Sequence, residues 1–338
     1  MTKLIIHAGA PKTGTTSIQQ TLYNNTDTLL REGVLYPKFS TWRLNHTPVT
    51  SGIARQEKHV GRMLKHLLRE RGQNREAYYR CIIREIVESI DATNPSVVVI
   101  SAEPLFGGPD CFDIQRLVSD LGSRMDEVKV VINLRHPGTH YLSVVQQKLK
   151  HSSSFKSPSP YRFRKAIEAY EKLGVRSVEV KAIEYLEGDV VKAFLSMLGV
   201  DMTGVETPTE RSNVTISAEA MYLLQGRRRT RYPYQDDQLI PEMQRYLTWL
   251  KRADAAFNTK KPRLLDHVNA SIIGQAYHDV MWLIDSYDSN ARHWLGGDEP
   301  SSTRCGDHSI DPVVEEICRV DVGKAEAMSA WITERFSV

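Results

Sequence analysis

The N-terminal segment constrains the fold of this chain more than any other part of the sequence. An apolar run at residues 4–8 leads into a loop that begins with Gly9 and ends with Gly14, and hydroxyl residues follow at positions 15–17. This pattern predicts a buried strand, a tight loop and the first turn of a helix. Because the N–H groups at a helix start have no acceptor within the helix and carry partial positive charge, the segment predicts a cradle for a phosphate group.

The lysine of this loop lies at an unusual position. Gly9 and Gly14 fit the spacing G-x-x-x-x-G of nucleoside-triphosphate loops, but Thr15 occupies the place of the lysine that this motif requires. Lys12 lies inside the loop instead. A lysine at the helix start reaches the outer phosphates of a triphosphate, whereas we expect Lys12 to lie nearer the bond between the bound phosphate and the group that it carries.

Strands and helices alternate through the first part of the chain. Besides the strand at 4–8, the apolar runs at 97–101 and 128–134 predict strands that are covered on both faces, and residues 178–184 predict another. Strands that alternate with helices indicate a parallel sheet with helices on both of its faces. The expected fold class is therefore α/β, a three-layer α/β/α arrangement of the P-loop type.

The chain changes character near residue 216. Beyond this point the sequence predicts helices without buried strands. We therefore expect an α/β domain over residues 1–216 and a C-terminal helical extension over residues 217–338 that packs on it.

Charged and hydroxyl side chains follow the predicted strands. Glu103 comes just after the apolar run at 97–101, Arg135 directly follows the run at 128–134, and Ser143 lies eight residues beyond Arg135. Because ligands of parallel sheets bind at the carboxyl ends of the strands, we expect these side chains and the Lys12 loop on one rim. A guanidinium and a hydroxyl suit a phosphate monoester. A structural salt bridge between Glu103 and Arg135 is the alternative.

Together these motifs resemble the two phosphate-binding motifs of sulfotransferases that use 3′-phosphoadenosine 5′-phosphosulfate (PAPS), in particular the bacterial, glycan-type members. The resemblance spans roughly residues 3–225. It implies a 5′-phosphosulfate loop made of Pro11, Lys12, Thr13, Gly14, Thr15, Thr16 and Ser17. It also implies that Arg135 and Ser143 bind the 3′-phosphate, which ATP and GTP lack. Further along the chain, members of this family close a loop over the nucleotide. The resemblance assigns that role to Arg211, Ser212 and Asn213. An ordinary surface loop is the alternative for these three residues.

The resemblance also implies a reaction. A sulfuryl group would pass from PAPS to a hydroxyl or amine acceptor, with 3′-phosphoadenosine 5′-phosphate (PAP) as product and without a metal ion. Lys12 is expected to stabilise the charge that develops during transfer. The base that takes the acceptor's proton is expected to be Glu103 or His46, and His46 could equally orient the acceptor.

Residues 148–165 indicate the chemistry of the acceptor. This segment contains six Lys or Arg residues and no Asp or Glu, and Phe155, Tyr161 and Phe163 are interleaved with them. Since aromatic rings can stack on sugars and cations pair with carboxylates or sulfates, we expect a saccharide acceptor that is acidic. A solvated basic loop is the alternative, and the basic run at 227–231 is expected to be a solvated helix end or linker.

Composition restricts the other partners. The net charge of +3 is small for a general nucleic-acid binder, and no apolar run approaches the ~18 residues that cross a bilayer. The four cysteines are widely spaced without a metal-binding pattern, and the first predicted strand leaves no room for a signal peptide. We therefore expect a cytoplasmic protein with reduced thiols, whose C-terminal region either covers the acceptor cleft or forms a homodimer.

Two other functions are compatible with a phosphate-binding loop. A P-loop kinase or NTPase shares the expected fold, but Thr15 replaces the required lysine, and the strand ends carry Glu103 and Arg135 rather than a magnesium-binding Asp. A non-catalytic protein that binds PAP is the second alternative. The combination of Lys12 with a carboxylate on the rim disfavours it.

Overall fold

The computed structural model describes residues 2–173, 177–183, 189–207, 215–295 and 312–335. Along the chain, its strands and α-helices are β1 (Lys3–His7), α1 (Thr15–Asn24), α2 (Thr26–Arg31), β2 (Val34–Leu35), α3 (Thr50–Ile53), α4 (Arg62–Glu70), α5 (Arg75–Thr93), β3 (Val97–Ser101), α6 (Ile114–Leu121), β4 (Glu127–Leu134), α7 (Pro137–Leu149), α8 (Arg164–Glu171), β5 (Ser177–Ala182), α9 (Val190–Met197), α10 (Ala218–Arg231), α11 (Pro241–Ala256), α12 (Asp266–Ser286), α13 (Val314–Ile317) and α14 (Val322–Arg335).

The described strands form one five-stranded sheet in the order β2-β3-β1-β4-β5. Every neighbouring pair is parallel. In the central register, Ile6 of β1 lies opposite Ile100 of β3 on one side and Val130 of β4 on the other. The predicted α/β class with an all-parallel central sheet is therefore confirmed.

Apolar runs form these strands because both faces of the sheet are covered. One face contributes Ile5, Val99 and Val131 to a core that also contains residues of α1 and α9. Since successive side chains alternate between faces, the opposite face carries a second apolar set, and all its members are fully buried: Leu4, Ile6, Val98, Ile100, Val130 and Ile132. Burial on both faces is consistent with three layers, α/β/α.

The strand order reverses at β1. From β1 the chain passes to β2 and returns to β3 on one side, and then crosses to β4 and β5 on the other side. In parallel sheets, the crevice outside the carboxyl ends of the strands at such a reversal is where ligands bind. The loop that follows β1 lies at this point.

The chain divides into two compact units. The first comprises Met1–Arg135, Arg162–Arg211 and Trp282–Ala291, and the second comprises His136–Tyr161, Ser212–Met281 and Arg292–Val338. The described strands all belong to the first unit. The second unit therefore takes up residues directly after β4 as well as residues from the C-terminal part of the chain. Within the described ranges, no helix combines the length and apolar character that a bilayer crossing requires.

The second unit has its own helical core, and a buried arginine lies within it. Arg228 of α10 is fully buried, in contrast to the solvated helix end expected for this basic run. Its Nη2 donates to the carbonyl oxygens of Lys150 at 2.8 Å and Gln238 at 3.1 Å. Burial lowers the pKa of Arg228, and the nearby Asp236 opposes that shift. The guanidinium thus joins two loops of the second unit.

We expect Arg228→Lys to lower the free energy of unfolding by roughly 2–4 kcal/mol, because a single ammonium cannot replace these charge-assisted hydrogen bonds and would leave buried carbonyl groups without donors. Urea unfolding measures the change. Arg231→Lys, at the exposed end of the same helix, is the matched control and should change stability by less than about 0.5 kcal/mol. Equal effects of the two substitutions would contradict the described role of Arg228.

Candidate functional site

The loop after β1 is held in a compact conformation by hydrogen bonds of its own and to β4. The N–H of Ala8 donates to the carbonyl of Val131 at 2.9 Å, and the N–H of Ala10 donates to the carbonyl of Asn133 at 3.1 Å. Thr13 is fully buried, and its Oγ1 donates to the carbonyl of Ala10 at 2.6 Å. These contacts fix the path of the chain before helix α1 begins.

Both glycines of the loop are required by its geometry. A Cβ atom at Gly9 would lie 2.6 Å from Cγ2 of Thr15 and 3.2 Å from Oγ1 of Thr13. Gly14 has a φ of +82°, and a Cβ there would lie 2.7 Å from Cγ1 of Val190. Gly14 is also the residue that precedes α1, which begins without a side-chain cap. The N–H groups of the first turn consequently remain directed towards the loop side of the helix.

Lys12 adopts a strained backbone conformation. Its φ of +69° lies in the left-handed region, which costs a residue other than glycine about 1–2 kcal/mol. The carbonyl oxygen of Lys12 accepts a hydrogen bond of 3.1 Å from Nη1 of Arg135. Strained residues persist where the surrounding structure imposes them, and they cluster at functional sites. The strain therefore marks Lys12 as a residue whose position matters more than its local stability.

The side chains of Lys12, Glu103 and Arg135 lie close together at the carboxyl ends of β1, β3 and β4. Burial lowers the pKa of Lys12, the Glu103 carboxylate opposes that shift, and the Arg135 guanidinium adds to it. Oε2 of Glu103 accepts a hydrogen bond of 3.1 Å from Oγ1 of Thr15. The structure thus brings together the Lys12 loop, Glu103 and Arg135, as the positions of these residues after neighbouring strands predict.

His46, one of the two candidate bases, lies in the core. It is 1 % exposed, and its Nδ1 accepts a hydrogen bond of 2.8 Å from the N–H of Ser101. Nε2 therefore carries the proton in the neutral ring and donates to the carbonyl of Pro37 at 2.8 Å. Burial lowers the pKa of His46 to about 4. With both nitrogens engaged, the ring fastens the segment around Pro37 to the end of β3.

The remaining predicted residues are placed as follows. Pro11 is half-buried beside Lys12 in the loop, whereas Thr16 is exposed and Ser17 is half-buried in the first turn of α1. Ser143 is half-buried on α7 and belongs to the second unit. The three residues expected to close over the nucleotide lie outside the described residues: Arg211, Ser212 and Asn213.

The structure adds four buried polar residues that the sequence motifs do not mark. Nδ1 of His7 lies 2.8 Å from Oγ of Ser101, and Nε2 of Gln19 donates to the same oxygen at 3.1 Å. Nδ2 of Asn133 lies 3.3 Å from Nε2 of His7. The available signal is that β1, β3 and β4, which are otherwise rich in apolar residues, each carry a polar residue at or near the carboxyl end.

The aromatic residues between 148 and 165 do not form an exposed stacking surface. Phe155 and Phe163 are buried. Tyr161 is half-buried and stacks on His140, with a distance of 3.9 Å between the ring centroids. These rings therefore contribute to packing rather than presenting their faces to a sugar.

No protein-family model matches this chain, and a search of curated proteins finds no similar sequence. Among the described residues, no group of three or more His, Cys, Asp or Glu side chains is arranged to hold a metal ion. The fold and the geometry at the end of β1 are therefore the features that bear on function.

We expect Lys12→Gly to be more stable than Lys12→Ala by about 1 kcal/mol, because both variants lack the long side chain but only alanine retains the left-handed strain. Thermal unfolding of the two variants, compared at equal pH and salt, measures the difference. A matched pair at Lys58, an exposed residue outside the loop with ordinary backbone φ, should not favour glycine. Greater stability of Lys12→Ala would contradict the described backbone conformation.

Proposed function

We propose that this protein is a sulfotransferase with a P-loop-type fold, which transfers a sulfuryl group from PAPS to a hydroxyl or amine of an acceptor. The observation that carries the proposal is the convergence of Lys12, Glu103 and Arg135 at the strand-order reversal. A phosphate loop whose lysine lies within the loop suits a donor with a substituted 5′-phosphate. A second cation at the end of the neighbouring strand suits a nucleotide with a second phosphate.

In the proposed reaction, the acceptor oxygen or nitrogen attacks the sulfur atom of PAPS in line with the leaving phosphate. The new bond to sulfur forms as the bond between sulfur and the bridging oxygen breaks, and the 5′-phosphate of PAP leaves with the electron pair. The Lys12 ammonium stabilises the negative charge that develops on the bridging oxygen. The N–H groups at the start of α1 hold the 5′-phosphate.

Glu103 is the base in this proposal, and His46 is not. The Glu103 carboxylate lies beside the Lys12 loop and is oriented by the hydroxyl of Thr15. It would accept the proton that the acceptor releases. His46 is buried with both ring nitrogens hydrogen-bonded. It instead stabilises the end of β3 through its hydrogen bond with Ser101.

Arg135 has two roles in this proposal. Its guanidinium binds the 3′-phosphate, and its Nη1 keeps the hydrogen bond to the carbonyl of Lys12. The two ends of the nucleotide would then be held by residues that follow the adjacent strands β1 and β4. The contributions of Ser143, Arg211 and Asn213 to the cofactor site, and of an acidic saccharide as acceptor, stay predictions from the sequence.

Nucleotide binding tests the proposal directly. We expect PAP to raise the melting temperature more than equal concentrations of AMP or ATP do. Of the three nucleotides, only PAP carries a 5′-phosphate for the Lys12 loop and a 3′-phosphate for Arg135. Arg135→Ala should bring the effect of PAP down to that of AMP, whereas Arg124→Ala, at an exposed ion pair with Asp91, should leave the difference intact. A larger stabilisation by ATP with Mg²⁺ would favour a kinase, and no stabilisation by any nucleotide would contradict both functions.

Transfer kinetics test the proposed roles of Lys12 and Glu103. We expect Lys12→Ala to lower kcat by roughly 10²–10³-fold, and Glu103→Gln to lower it by roughly 10²–10⁴-fold, while a chelator leaves the wild-type rate unchanged. Because burial lowers the pKa of Lys12, its charge should be lost as the pH rises, below the ordinary lysine value of about 10.4. In the pH profile of kcat/KM, the apparent pKa of the alkaline limb should therefore be lower than that value.

The control for these measurements is Lys58→Ala, which removes an exposed cation remote from the loop in sequence. A full rate in Lys12→Ala would remove this lysine from the mechanism. PAP binding without transfer to any hydroxyl or amine acceptor in a broad screen would favour a non-catalytic binding protein.

A further inference from the structure

The buried polar residues beneath the loop form a connected network on one face of the sheet. His7, Ser101 and Asn133 lie on the same face of β1, β3 and β4 as Ile5, Val99 and Val131, because side chains two residues apart along a strand share a face. Gln19 reaches this network from α1. A fully buried polar side chain is unfavourable unless it is hydrogen-bonded, and the hydrogen bonds of this network meet that requirement.

The hydrogen bonds of the network define the protonation of His7. This residue is 0 % exposed, and burial lowers its pKa to about 3, so the ring is neutral at ordinary pH. The amide nitrogen of Asn133 can only donate, and it lies 3.3 Å from Nε2 of His7. Nε2 is therefore the acceptor, and the proton resides on Nδ1, which donates to Oγ of Ser101 at 2.8 Å.

His7 contacts both the loop at Gly9 and the segment that leads to Glu103. A Cβ atom at Gly9 would lie 3.0 Å from Nε2 of His7, so the loop crosses directly over the imidazole. On the other side, the carbonyl of His7 accepts a hydrogen bond of 3.1 Å from the N–H of Ala102, the residue before Glu103. The ring of Phe194 packs against the imidazole, with 4.8 Å between centroids.

We propose that His7, as a neutral ring with its proton on Nδ1, is a positioning residue. It fixes the position of the Lys12 loop relative to the end of β3, which Glu103 follows. It does so through Ser101 and Asn133, without contact to a substrate. For catalysis this inference rests on the proposed sulfotransferase function, but the role of His7 in shaping the loop does not depend on it.

The protonation state can be measured in the nucleotide-free protein. In protein with ¹⁵N-labelled histidine, we expect the His7 ring to show a protonated Nδ1 and an unprotonated Nε2, unchanged between about pH 5 and pH 8, the range in which an ordinary histidine titrates. The His7→Leu spectrum assigns the signals. A proton on Nε2, or a titration within this range, would overturn the proposal.

Two variants test the positioning role. His7→Leu removes both hydrogen bonds of the ring, whereas His7→Asn places an amide donor near the position of Nδ1. We expect His7→Leu to accelerate hydrogen exchange of the loop amides at 12–17 and to weaken PAP binding by about tenfold or more, and His7→Asn to restore part of both. For transfer we expect His7→Leu to lower kcat by roughly 100-fold, the effect of a misplacement of about 1 Å.

Phe194→Leu is the matched control, because it trims the ring that packs on His7 but leaves the hydrogen bonds in place. It should lower thermal stability without faster loop exchange or weaker PAP binding. The positioning role is refuted if the loop amides of His7→Leu exchange hydrogen at the wild-type rate. It is also refuted if Phe194→Leu shows the same faster loop exchange and weaker PAP binding as His7→Leu. If wild-type protein binds no PAP while His7→Leu still loosens the loop, the proposed function fails and the positioning role of His7 stands.

Discussion

The pairing of β1 with a strand on each side is the constraint on which the site depends. β1 is hydrogen-bonded to β3 along one edge and to β4 along the other. The loop that leaves β1 must therefore emerge between the ends of these two strands. Residues that follow β3 and β4 become its neighbours, although they are remote in sequence. If β1 were an edge strand, Lys12 would have only one of these neighbours, Glu103 or Arg135.

Local patterns in the sequence were sufficient for much of this geometry. The apolar run at 97–101 coincides with β3, and the hydroxyl cluster after Gly14 coincides with the start of α1. Glu103 and Arg135 could be assigned to one rim because the carboxyl ends of parallel strands share an edge. The strained backbone of Lys12 could not be foreseen in this way, since its carbonyl contacts Arg135, a residue distant in sequence.

Burial was the quantity that local composition predicted least well. His46 lies in a segment rich in polar residues, yet Tyr36 and Phe39 pack edge-on against its ring and exclude it from solvent. Arg228 belongs to a basic run that resembles a solvated helix end, but loop carbonyl groups surround its guanidinium. The interleaved ring of Phe155 is a core residue of the second unit. In each case, the environment of the side chain is set by contacts that no periodicity in the chain encodes.

The site can be understood as two layers with different electrostatic character. The upper layer, with Lys12, Arg135 and Glu103, carries one net positive charge when all three groups are ionised, which suits a doubly charged phosphate better than a neutral ligand. The lower layer, which contains His7, consists of buried polar groups that remain uncharged. Fixed dipoles are suited to that place because they hold the loop in position without introducing a buried charge, which would cost several kcal/mol per ion. A charged imidazole directly beneath Gly9 would also repel Lys12 and Arg135. In the proposed anion site, the neutrality of His7 therefore complements the positive charge of Lys12 and Arg135.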